Sequence, residues 1–209
     1  MKIIISVLAL LALVATLHAA AVPSYTWPTF KSNVQSVDPT NNMTVLQNFY
    51  SDANKKMLRF DVNLANANGA IQKYIQFYEV DKYTIIYYTV GKDDSIVCNF
   101  AKMDTSSMFG NMLKDATYEG LKALNSTVGL SYQVPAMLGA PAPVNFVIDA
   151  FTNYPAMVAQ KDNAPSIFIN AAEFFKAESD AMLRIPTGIT CKDVTSKIRT
   201  TNVMNMFKF

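Results

Sequence analysis

The clearest alternation of apolar and polar positions runs from Lys56 to Phe100. Within residues 56–64, Leu58, Phe60, Val62 and Leu64 fall on one side and Met57, Arg59, Asp61 and Asn63 on the other, the period of two of a half-buried strand. The turn-rich residues 51–54, preceded by a strand-like run over 44–50, predict a hairpin with it. Residues 71–79 form a further strand with Ile71, Ile75 and Phe77 on one face and Gln72, Tyr74, Gln76 and Tyr78 on the other. Residues 83–90 are apolar or aromatic on both faces, which predicts a strand covered on both sides. A turn at 91–94 then leads into 95–100, which brings in Cys98. The pattern is an antiparallel meander.

After it the period changes. Met108, Met112, Leu113, Ala116, Leu121 and Leu124 follow a helical spacing, so 106–124 predicts one helix, or two short ones parted by Gly110 and Gly120. Gly129, Pro135, Gly139, Pro141 and Pro143 restrict 128–143 to a loop or a short strand. Strands resume at 144–151, 156–160 and 166–170, with 171–176 either extending the last or starting a helical turn. A final strand is predicted at 182–186, and the tail from Cys191 reads as a short helix with Val194, Ile198 and Val203 on one side. The fold class is α+β, mainly antiparallel β, with one or two helices over the sheet.

The N-terminus changes the compartment. Met1-Lys2, an apolar run over 3–17 and Ala19-Ala20-Ala21 have the layout of a secretory signal peptide, in a run shorter than the ~20 residues that span a bilayer. Residues 1–20 are therefore read as a leader, with an uncleaved anchor as the alternative, and 21–209 as a single secreted domain. Pro23 and Pro28 hold the segment around Trp27 extended, so that it lies along a sheet edge or caps the open end of the sheet. No later stretch is long and apolar enough to span a membrane, so no stable membrane insertion is expected.

Charge and residue counts remove several classes of function. The formal charge is +2, which falls to +1 without Lys2, and no basic block marks a nucleic-acid partner. The single histidine, His18, lies in the leader. Without an imidazole, Ser-His-Asp and Cys-His nucleophiles are excluded, and catalytic zinc loses its usual ligand. The Asp93-Asp94 pair lacks the alternating ligands of a calcium loop, so no metal site and no cofactor are assigned. Asp61, Glu79, Asp149, Glu173 and Glu178 leave a carboxylate-dependent hydrolase as the least favoured reading, and no catalytic residue is assigned. Cys98 and Cys191 are the only cysteines, and an oxidising compartment predicts a disulfide between them. Asn42 and Asn125 open glycosylation sequons.

Thirteen phenylalanines, ten tyrosines and eleven methionines suit either a pocket for an apolar ligand or an ordinary filled core. The leading expectation is a non-enzymatic secreted protein that binds a lipid or other apolar small molecule. Its lining would come from Ile75, Phe77, Ile85, Tyr87, Phe146, Ile148, Phe168 and Ile169. The alternative is a structural or adhesion glycoprotein with a filled core.

The leader, Pro23-x-x-x-Trp27, the run from Asn48 to Asp61, a strand reaching Cys98, and Ile185-Pro186 followed by Cys191 together resemble the ependymin-related proteins. That resemblance implies a secreted, glycosylated protein with a LolA-like fold, two curved antiparallel sheets forming a half-open shell around an apolar cavity. It also implies calcium and a homodimer, for which these residues carry no motif. The chain lacks the family's cysteine near the mature start, so the resemblance carries over only the Cys98–Cys191 bridge.

Overall fold

The computed structural model describes residues 22–38, 43–65, 71–79, 84–90, 96–102, 109–124, 127–135, 143–160 and 165–197. The strands are β1 (Phe30–Asp38), β2 (Met43–Asp52), β3 (Met57–Ala65), β4 (Ile71–Glu79), β5 (Thr84–Val90), β6 (Ile96–Lys102), β7 (Thr117–Ala123), β8 (Val128–Val134), β9 (Val144–Asp149), β10 (Pro155–Gln160), β11 (Ser166–Glu173) and β12 (Lys192–Asp193). All belong to one sheet ordered β12-β6-β5-β4-β3-β2-β1-β11-β10-β9-β8-β7. Two antiparallel meanders, β1 to β6 and β7 to β11, are thus fused edge to edge where β1 pairs with β11. A single sheet stands where two were anticipated.

The sheet is strongly curved. Trp27 lies 5.6 Å from the ring of Phe49 on β2 and 6.0 Å from that of Phe146 on β9. Those strands are four places apart in the sheet, about 19 Å if it were flat. One indole reaches both only because the sheet wraps around it. Two β-bulges assist the bend. Between β1 and β11 the register passes from Lys31↔Ala172 to Asn33↔Ile169, leaving an extra residue in β11. Between β9 and β10 it passes from Ile148↔Pro155 to Val147↔Met157, leaving an extra residue in β10. Gly129 on β8 is a close-approach site, since a Cβ there would lie 2.9 Å from the Ile148 carbonyl oxygen.

The inner face is an aromatic core. Phe30, Phe49, Phe60, Phe146 and Trp27 are each at most 1% exposed and pack with Val34, Val62, Ile148 and Phe168. Leu58, Phe60 and Val62 of β3 point inward, as the period-two pattern predicts. The outer face carries a second cluster of Phe77, Tyr88 and Cys98, joined by Met57, Ile75, Ile86, Ile185, Ile189 and Cys191. A disulfide joins Cys98 to Cys191 and draws the end of the chain over this face.

Three predicted elements are different in the structure. Residues 117–123, read as part of a helix, form strand β7. β7 lies at the sheet edge with Leu121 exposed, so its apolar spacing does not mark a buried helical stripe, and Gly120 adopts φ +112° beside a bulge. Met112 and Leu113, from the same predicted helix, sit on turns over the core. The predicted strand at 182–186 is irregular chain following helix α1 (Lys176–Met182), in a stretch punctuated by Pro186 and by Gly188 at φ +82°. The predicted tail helix is a single 3-10 turn at Thr195–Lys197, and Ile198 and Val203 lie outside the described residues. Among the described residues the α-helix is the seven-residue α1, not the 106–124 segment predicted to cover the sheet, and it binds the outer side. Ser179 donates to the buried carboxylate of Asp52, Lys55 pairs with Asp180 at 2.7 Å, and Lys31 pairs with Glu178 at 2.7 Å. Among the described residues no helix is long and apolar enough to cross a membrane.

Candidate functional site

Two places merit consideration, the inner face where a ligand was anticipated and a groove on the surface.

The inner face is occupied by the protein's own N-terminal strap. Its position follows from few bonds: Tyr25 N–H donates to Asn111 Oδ1 at 3.0 Å, Tyr25 carbonyl accepts from Met112 N–H at 2.7 Å, and Tyr25 hydroxyl donates to the Asn153 carbonyl at 3.1 Å. Prolines at 23 and 28 offer no N–H for a ladder. The strap therefore crosses the concave face and does not join the sheet. Trp27 enters a cage of Phe30, Phe49, Phe146 and Phe168, with ring centroids 5.6 to 6.0 Å away. Its Nε1–H is buried without a protein partner, so shape and dispersion hold the indole there. The expectation that Trp27 caps the open end or follows an edge is replaced by a central position.

The eight residues anticipated as a ligand lining divide among three places. Phe146, Ile148 and Phe168 pack in the aromatic core, Phe146 and Phe168 against Trp27 itself. Ile75 and Phe77 belong to the opposite face, against the disulfide cluster. This split follows from register: Phe77 pairs with Arg59, whose neighbours Leu58 and Phe60 point inward. Ile169 is half-buried and lines the surface groove together with Phe168. The backbone pairs Ile85 with Tyr78 and Tyr87 with Gln76, while their side chains lie outside the described set. Asn42 and Asn125 are likewise outside the described residues.

The carboxylates serve the fold. Asp61 holds Arg59 through two bonds of 2.6 and 2.8 Å, and the guanidinium lies between the Tyr50 and Phe77 rings. Glu178 is paired with Lys31, and Glu79 and Glu173 terminate β4 and β11, strands four places apart in the sheet. Among the described residues no cluster of three or more His, Cys, Asp or Glu could hold a metal ion.

Asp149 lines the surface groove. This depression, of about 320 Å³, is lined by Asp149, Phe151, Thr152, Ala156, Ile169 and Asn170 among others. Asp149 Oδ1 accepts from the N–H groups of Phe151 and Thr152, both at 2.8 Å, and Oδ2 accepts from the Thr127 hydroxyl. Partial burial raises the affinity of this carboxyl for protons, but those bonds outweigh it and hold its pKa below the ordinary aspartate value. The turn is fixed further by Asn153 N–H on the Asp149 carbonyl and by Asn153 at φ 60°. Phe151 is consequently 84% exposed on a braced turn. No single-strand signal points to this groove, because two bulges on different strands contribute to it, Ala156 from β10 and Asn170 from β11.

No family model matches the chain, and no curated protein matches it. Among solved structures, PNGF-II in a C2 crystal form is similar over 81% of this chain and 31% of its own length, at 5% identity and a TM-score of 0.41. The chain spans about a third of that protein.

Proposed function

We propose that this chain is a secreted, disulfide-bonded, non-enzymatic structural or adhesion protein that works through its surface. The observation that carries the reading is Trp27, 1% exposed inside a cage of four phenylalanine rings. A concave face filled at its centre by the protein's own chain supports a packed interior over a standing ligand cavity. The Cys98–Cys191 bridge supports an oxidising compartment, in keeping with the leader-like N-terminus and the sequons at Asn42 and Asn125. The curved antiparallel sheet and this bridge also support kinship with the ependymin-related proteins.

The second reading, a carrier of a lipid or other apolar molecule, is favoured by the strap's sparse hydrogen bonding to the other described residues. Withdrawal of the strap would bare Phe30, Phe49, Phe146 and Phe168 as an apolar trough. Mass spectrometry of organic extracts from the secreted protein, with titration of a fluorescent fatty acid, separates the two. The structural reading expects no stoichiometric lipid and an unchanged Trp27 emission. One lipid per chain, or a red-shifted Trp27 on fatty-acid binding, would overturn it in favour of the carrier.

A further inference from the structure

We propose that the groove between Asp149, Phe151 and Asn170 is a carbohydrate-binding subsite that takes a single neutral pyranose ring. The inference rests on the groove alone and stands whether or not the interior accepts an apolar ligand.

The groove is built by departures from regular sheet geometry. Two bulges open toward it, one at Ala156 on β10 and one at Asn170 and Ala171 on β11. Asn170 is exposed and adopts φ 55°, in the left-handed region, which lifts it out of the strand's alternation. Bulges and residues held at positive φ concentrate where a side chain is re-aimed for binding. A third device is the Asp149 turn, which holds Phe151 almost fully in water. An aromatic ring presented in that way on a braced turn does not contribute to the core, and it offers one flat apolar face.

The lining then selects the ligand. A phosphate or another anion is disfavoured, since among the described residues the lining holds no basic side chain and one carboxylate. A long acyl chain needs an enclosed apolar pocket, whereas this depression is open and mixes Ile169 and Pro155 with Asp149, Thr152 and Asn170. A pyranose matches the mixture, having a face of C–H groups to lie on Phe151 and a rim of hydroxyls. Asp149 Oδ2 accepts from the Thr127 hydroxyl, and the second lone pair of that oxygen is the acceptor offered to a sugar hydroxyl. The Asn170 amide supplies a donor and an acceptor. An ammonium ligand would also be drawn to Asp149 and Phe151, but that carboxylate already shares its charge among several donors, the Thr127 and Thr152 side chains and the N–H groups of Phe151 and Thr152.

The test is saturation-transfer NMR on the full secreted chain carrying Asn125→Gln, which removes any glycan next to Thr127. N-acetylglucosamine, galactose, mannose and choline are titrated separately. One of the sugars should receive transfer on its C–H face, with a Kd on the order of 1–10 mM. Phe151→Ala should weaken it by at least about tenfold, while Leu121→Ala, exposed elsewhere, should leave it unchanged. Trp27 emission confirms that each variant is folded. No transfer to any sugar, equal binding by Phe151→Ala, or binding of choline alone would overturn the assignment.

Discussion

Replacing Trp27 tests the interior directly. The indole is 1% exposed and touches four phenylalanine rings. It removes roughly 200 Å² of surface from water, which at about 25 cal/mol/Å² is about 5 kcal/mol. Trp27→Ala keeps a Cβ and lets the cage relax in part, so a loss of about 4 kcal/mol is expected, within the range for aromatic truncations in cores. Trp27→Phe should behave differently. It leaves a smaller gap and eliminates an Nε1–H that is buried without a protein partner, a burial that costs about 1–3 kcal/mol in the wild type. The phenylalanine variant should therefore lose about 1–2 kcal/mol, less than half of the alanine penalty. Because Trp27 is the only tryptophan, urea unfolding should be followed by far-ultraviolet circular dichroism, with the urea slope held common across the series. An alanine variant that loses less than about 1 kcal/mol, or a phenylalanine variant as damaged as alanine, would refute the central place given to this side chain.

Three other perturbations follow from the same geometry. Replacing Cys98 and Cys191 by serine together opens a loop with a sequence separation of 93 and should cost about 4–5 kcal/mol in the chain-entropy model, measured by calorimetry; a loss under about 1 kcal/mol would contradict it. Asp52→Ala strips partners from the N–H groups of Asn54 and Lys55 and from Ser179, for about 3 kcal/mol, whereas Lys31→Ala breaks an exposed pair and should cost under about 1 kcal/mol; equal effects in urea melts would undo this ranking. Burial raises the pKa of Tyr25 and of Tyr78 above the ordinary 10.0, with Tyr154 adding to the rise at Tyr25. The folded pKa lies above the unfolded one, so their contribution is fully present below about pH 10 and is lost as pH rises beyond it; ultraviolet titration should show both ionising only as the chain unfolds.

The first meander was legible because its inward and outward positions alternate in residue type, as at Leu58, Phe60 and Val62 against Arg59 and Asp61. β1 was not anticipated because its inward row mixes Phe30 and Val34 with Ser32 and Ser36, all four buried, and so carries no apolar alternation. The helical spacing over 106–124 misled because Leu121 is an exposed residue of an edge strand. The two faces could not be told apart along a single strand. Phe77 and Phe146 look equivalent in sequence, and only the pairing register sends one to the disulfide cluster and the other to the aromatic core. The groove was illegible for a related reason, since it depends on where two bulges fall when distant strands pair.

The seam between β1 and β11 has a kinetic consequence. Each meander pairs strands that are neighbours in the chain, but the Ser32 hydroxyl meets the Ile169 carbonyl across 137 residues. Contacts at such separation form late, because most of the loop entropy must be lost before they stabilise anything. During synthesis β1 therefore emerges long before its partner and waits as an unpaired strand edge, the kind of surface on which folding intermediates associate. Closing the seam is the step at which the nascent chain exchanges that hazard for a finished sheet, and it cannot occur until β11 has been made.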